Sequence, residues 1–135
     1  MKNPRRRSKT FRYCRDRRRG FFIGRRPDGE WREGEGYDPD QWGGDYTETN
    51  AWGTMFTAPH DGAGIVDLHG GTERFDDAVD RFFATQETGA TDRAGHYGFA
   101  IHEMTEARDV RRGMLGLSNQ PAHHIPFMYL SLIHI

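Results

Sequence analysis

Within Thr72–Ala84 the chain sets Phe75, Ala78, Val79, Phe82 and Phe83 at positions i, i+3, i+4, i+7 and i+8, with Asp76, Asp77, Asp80 and Arg81 between them. That spacing lines the apolar side chains along one stripe of a helix and cannot serve a strand, whose faces alternate every second residue. Thr72 and Glu73 are residues that helix starts favour, so a helix is predicted over 72–84 with Thr72 as its cap. No segment alternates apolar and polar residues at strand length, and no internal repeat is found. These patterns point to an all-α fold.

Weaker signals predict further short helices. Residues 4–15 have helical composition, with Ser8, Phe11 and Cys14 on one side, until Gly20 leads into an apolar plug, Phe21-Phe22-Ile23. Asn50 is placed to cap a helix over 50–56, ended by Pro59, and a second helix over 61–68 stops at Gly70-Gly71. Helices are also predicted over 102–112 and 119–130, the latter with Ser118 as cap and Pro121 tolerated in its first turn. Residues 24–45 carry six glycines with Pro27 and Pro39, which makes a long loop. Trp31, Tyr37 and Trp42 within it predict an ordered loop, and long ordered loops often carry function.

Charge is distributed unevenly. Twelve of the 19 Lys and Arg fall in the first 26 residues beside a single acid, Asp16. A basic arm can bind nucleic acid or an acidic membrane surface. No base-stacking or groove-reading motif accompanies it, so it is read as a solvated face and no nucleic-acid partner is expected. Hydrophobic residues make up 35% of the chain, and the 13% that are aromatic must supply most of a thin core. A lone cysteine, Cys14, excludes an internal disulfide and a cysteine metal cage. No apolar run approaches 18 residues, so no membrane span is expected, and the basic start lacks the apolar region of a signal peptide.

Chemistry concentrates in a few segments. Carboxylates, carboxamides and imidazoles beside Trp and Tyr are suited to holding a sugar: rings cover C–H surfaces and planar polar groups take hydroxyls. Glu48 lies between the aromatic loop and a helix start, where Tyr46 and Trp52 are candidates to desolvate it and raise its pKa. The alternative is that it complements a helix dipole. His102-Glu103 opens like a His-Glu-x-x-His zinc site, but position 106 is Glu, which excludes that reading. The pair suits hydroxyl recognition or a surface ion pair. In Asn119-Gln120-Pro121 the amide oxygens qualify as calcium ligands, with Glu106 as a further candidate; an ordinary helix turn is the alternative. His123 and His124 point about 100° apart on a helix and cannot chelate one ion together. His60-Asp61 has no partner that would make a metallophosphohydrolase pair.

Taken in order, Tyr46-Thr47-Glu48-Thr49-Asn50-Ala51-Trp52, Ala58-Pro59-His60-Asp61, His102-Glu103 and Asn119-Gln120-Pro121 resemble glycoside hydrolase family 92, the calcium-dependent exo-acting α-mannosidases. Thr49, Ala58 and Gln120 stand where the family usually has Gly, Val and Glu. The resemblance implies a fragment of an (α/α)6 barrel with long glycine- and aromatic-rich loops, acting on terminal α-linked mannose of glycans by inversion. Glu48 would be the general acid. His102, Glu103, Trp52 and Asn119 would contact the sugar, with α-1,2 linkages favoured, and Gln120 and Glu106 would help hold calcium. The family's N-terminal β-sandwich and its downstream Gly-Gln-Met-Ser-Ala-Trp segment, which follows the aspartates acting as base, do not occur here. Residues 1–129 are therefore expected to be part of the catalytic domain, inactive alone, with 130–135 a non-native tail. The full-length protein is expected to be secreted or periplasmic. The competing expectation is a non-enzymatic module that binds glycans through its aromatic loops and polyanions through its basic arm.

Overall fold

The computed structural model describes residues 10–32, 34 and 36–133. Among these the α-helices are α1 (Ala51–Thr54), α2 (Gly62–His69), α3 (Thr72–Ala84), α4 (His102–Val110) and α5 (Met128–Ile133), connected by loops and 3-10 turns. The chain is mostly helical, as its periodicity predicts.

An antiparallel ribbon departs from the all-α expectation: β1 (Arg15–Asp16) pairs with β2 (Phe21–Phe22), Arg15 opposite Phe22 and Asp16 opposite Phe21. The turn between the strands is organised by Asp16, whose Oδ1 accepts the N–H groups of Arg18 (2.8 Å) and Arg19 (3.2 Å). Of the helix expected over 4–15, residues 1–9 lie outside the described residues, and Thr10–Cys14 form a 3-10 turn. Arg15 leaves that turn to pair with Phe22, so the helix does not reach 15.

Asn50 caps as predicted, accepting the N–H of Gly53 (3.2 Å), and Asp61, expected inside the second helix, caps it instead by accepting the N–H of Gly64 (3.0 Å). Thr72 does not cap α3. Gly71 takes that position with φ 111, following Gly70 at φ 95, and this pair of left-handed residues folds α2 back against α3. The predicted helix over 119–130 is broken into 3-10 turns at Gln120–Ala122 and Ile125–Phe127 before α5 begins. Pro121 and Pro126 each remove a backbone donor, which explains the interruption. Ser118 caps neither turn.

The main core joins the ribbon and plug (Phe21, Phe22, Ile23) to Phe56, Ile65, Phe75, Val79 and Phe82. Phe56 is fully buried, stacks on His69 at 5.7 Å and meets Phe75 and Phe82 edge-on, also at 5.7 Å. Truncating a ring in such a position costs about 3–5 kcal/mol. A smaller cluster lies apart: Trp42, Ala94 and Met104, with Tyr97 and Ile101 packed around it. It fastens the glycine-rich loop to α4. Trp42 donates its indole N–H to Glu87 (2.9 Å) and its backbone N–H to the Arg93 carbonyl (2.8 Å).

Side chains order the rest of that loop. Arg25 lies over the rings of Trp31 (3.7 Å) and Tyr13 (4.7 Å). Arg93 bridges Asp38 and Asp40, and Asp45 takes the Gly24 N–H (2.7 Å) and Arg32 (2.7 Å).

Candidate functional site

Glu48 sits at the end of the ordered loop, just before the Asn50 cap of α1, and its backbone is pinned from both sides. Its N–H donates to the Tyr97 hydroxyl at 2.9 Å, and its carbonyl accepts from Nδ2 of the buried Asn119 at 2.8 Å. These partners lie 49 and 71 residues away along the chain. Between them they hold Glu48 at φ 55, a left-handed conformation sparsely populated by residues with a Cβ. Strained positions of this kind cluster at functional sites.

The carboxyl itself is exposed, so the expected desolvation by Tyr46 and Trp52 is not found. Trp52 is only 5% exposed, meets Phe21 edge-on at 5.0 Å and gives its indole N–H to Asp40 at 2.7 Å. Its ring is largely buried, Arg81 lies over it, and its N–H goes to Asp40, so little of it is left for the sugar contact expected of it. Tyr46 donates its hydroxyl to the Phe22 carbonyl (2.7 Å) and accepts from Tyr37 (3.2 Å). Burial and the Tyr46 hydroxyl push the Tyr37 phenol well above its ordinary range.

The loop that precedes Glu48 forms a cavity of about 290 Å³, whose walls include Tyr37, Asp38, Gln41, Trp42, Tyr46 and His96. Gly43 keeps φ 76 there, and a Cβ on it would collide with the His96 ring. The neighbouring Gly44 N–H donates to His96 Nδ1 at 3.2 Å. Because His96 and Tyr97 are adjacent, one short turn, Gly95–Tyr97, fixes both this wall and the Glu48 amide. The cavity thus presents aromatic surface, a carboxamide and an imidazole, a combination suited to a sugar ring. Its carboxylates are already engaged: Asp38 by Arg93, and Asp45 by Arg32 and Gly24.

The second group of predicted residues stands on α4 and the turn after it. His102 is exposed and Glu103 half-buried at the start of α4, while Met104 anchors that end in the smaller cluster. Glu106 is tied to the turn, its Oε2 accepting both the Ser118 N–H (2.8 Å) and the Ser118 hydroxyl (2.6 Å). Those two bonds hold its carboxyl below the usual range. Through Ser118 and Asn119, α4 is coupled to Glu48, so the two motif regions meet through the turn at 118–119. Gln120 is exposed and lines a different cavity, of about 340 Å³, with Thr57, Pro59 and the imidazoles of His123 and His124.

For a calcium ion the side chains offer little. Among the described residues no group of three or more His, Cys, Asp or Glu converges as a metal site. One oxygen of Glu106 is already bonded to Ser118. Glu106 and Gln120 therefore do not by themselves fit a cation that takes six to eight oxygens.

His123, His124 and His60 are each engaged within the fold. His123 donates to the Leu117 carbonyl and His124 to the Phe56 carbonyl, each at 2.6 Å. His60 meets Phe11 edge-on, while Asp61 caps α2 and pairs with Arg12. Sequence reading missed Tyr97, His96 and Ser118 as holders of the site. A Tyr following His in a glycine-punctuated loop was the one available signal. The model of the glycosyl hydrolase family 92 catalytic domain matches residues 2–132 of the chain. Among curated proteins no match is found.

Proposed function

The chain belongs to glycosyl hydrolase family 92, and from that premise we propose that it carries the general-acid side of a site that releases terminal α-linked mannose from glycans by inversion. Membership of the family implies glycoside hydrolysis and a glycan substrate. No helix among the described residues is long and apolar enough to cross a membrane.

One observation carries the finer reading: Glu48 is exposed while its peptide is clamped by Asn119 and by Tyr97, whose neighbour His96 lines the aromatic cavity. Protonating a departing glycosidic oxygen needs a carboxylic acid that is rigidly placed yet reachable, and this arrangement supplies both. Inversion also needs a carboxylate base about 6.5–9.5 Å from the acid, with water between them. The carboxylates lining the cavity are held in ion pairs, so we assign the base to a residue outside this cavity. His102 and Glu103, at the exposed start of α4, are assigned to the leaving-group side, with α-1,2 linkages preferred. Calcium, when bound, would orient sugar hydroxyls; Gln120 and Glu106 could contribute to holding it only with oxygens from outside this chain.

The test uses a version of the protein extended to contain the base. Glu48→Gln should lose most activity on a mannobiose and much less on a dinitrophenyl mannoside, because a leaving group of low pKa needs little protonation. Equal losses on both substrates would make Glu48 structural. The 135-residue chain should turn over neither substrate.

A further inference from the structure

From residue 10 on, the basic segment is not a free arm. Its turn folds against α2 and α3, and there it encloses a cavity of about 290 Å³ whose wall brings together Arg15, Arg17, Arg18, Arg19, Arg74 and Arg81. The first four come from the ribbon turn and the last two from α3, more than fifty residues later. A single acid, Asp77, shares the wall. Some of this charge is neutralised or committed. Arg19 pairs with Asp16 and bonds the Gly34 carbonyl, Arg15 bonds the Gly20 carbonyl, and Arg81 lies over the Trp52 ring at 5.7 Å. Arg17, Arg18 and Arg74 have no side-chain partner among the described residues.

Two wall residues also hold unanswered polar atoms. Arg15 Nε is a buried donor without an acceptor, and His69 Nε2 is buried without a partner. The His69 Nδ1 proton goes to the Ile65 carbonyl at 2.9 Å, so in the neutral ring Nε2 is an acceptor in need of a donor. Burial keeps that ring neutral, holding its pKa at about 4.

We propose that this cavity binds a phosphoryl group, as inorganic phosphate or as a phosphate monoester. The charged oxygens of a phosphoryl group accept from the guanidinium groups of this wall. Guanidinium forks match phosphate oxygens in pairs, which makes arginine the residue of choice for such a site. The volume lies at the small end of ligand sites, too small for a duplex and suited to one phosphoryl group with its ester carbon.

Titration calorimetry of the 135-residue chain at pH 7 and low salt tests this, with inorganic phosphate and methyl phosphate as probes. Saturable phosphate binding is expected. Tighter binding of methyl phosphate than of phosphate would assign the site to an esterified ligand, and the reverse to the free ion. Arg74→Gln and Arg17→Gln are exposed changes whose folding is checked by circular dichroism. Each should weaken binding about tenfold, the equivalent of one charge-assisted contact, while Arg112→Gln should have no effect. The proposal is overturned if phosphate does not bind at millimolar concentration or if both arginine variants bind as well as the parent. Binding of an oligothymidylate without binding of phosphate would likewise replace it with a nucleic-acid surface.

Discussion

A left-handed backbone costs a residue with a Cβ roughly 1–2 kcal/mol, and at Glu48 that cost is met by two side chains from distant segments. The arrangement predicts opposite effects on stability and activity. Glu48→Gly removes the strain while keeping both backbone bonds, so it should leave the urea midpoint of the chain unchanged or raise it. In an extended, active version it should abolish turnover of a mannobiose. A fall in stability of more than about 1 kcal/mol would show that the Glu48 side chain makes structural contacts. Asn119 is also explained at this scale. It was read from sequence as a sugar contact, yet it is buried and its Nδ2 is spent on the Glu48 carbonyl.

At the scale of elements, the α2–α3 hairpin carries a pH dependence. His69 closes α2 with its ring stacked on Phe56 and edge-on to Phe75, and burial, assisted by the nearby Arg15, lowers its pKa from 6.5 to about 4. The unfolded chain takes up that proton first. Stability should therefore fall as pH drops below 6.5, with the loss levelling off near 4. The full shift corresponds to roughly 3 kcal/mol, less where solvent reaches the ring. Urea unfolding of the chain and of His69→Phe between pH 7 and pH 4 measures it, and the difference between the two should grow across that window. Identical pH profiles would remove His69 as the cause.

The same hairpin shows what a sequence discloses. Apolar periodicity placed α3 at 72–84 because one strong pattern dominates thirteen residues. The ribbon was not legible, since two-residue strands have no period and depend on how Asp16 organises a turn. Glu48 and the α4 residues could be picked out by their motifs. Their coupling through Tyr97, Ser118 and Asn119 could not, because it rests on hydrogen bonds between segments that local patterns do not relate. The burial of Trp52 was not legible for a similar reason: its motif position was, but which way its ring turns depends on Phe21 and Asp40.

Across the whole molecule, two apolar clusters share the work unequally: the larger supports the helices and the smaller supports the cavity wall. Metal affinity belongs at this scale, because a calcium cage needs oxygens converging from several segments, and among the described residues no group of three or more His, Cys, Asp or Glu converges to join Glu106 and Gln120. Calorimetry should find calcium binding to the 135-residue chain no tighter than about 10⁻³ M. A micromolar affinity would mean that other residues of this chain form the cage.

The clamp on Glu48 also has a consequence in time. α2 and α3 are neighbours along the chain and can dock after closing a two-residue link, whereas the Glu48 peptide waits for loops of 49 and 71 residues to close. Closing longer loops is entropically dearer, and contacts of long sequence separation form late in folding. The site should therefore be the last part of the chain to assemble and the first to open. Native-state hydrogen exchange would register this order directly. The Glu48 amide, bonded only to a tyrosine hydroxyl, should exchange through a local opening well before the amides of Val79 and Phe82, which wait for the whole molecule to unfold.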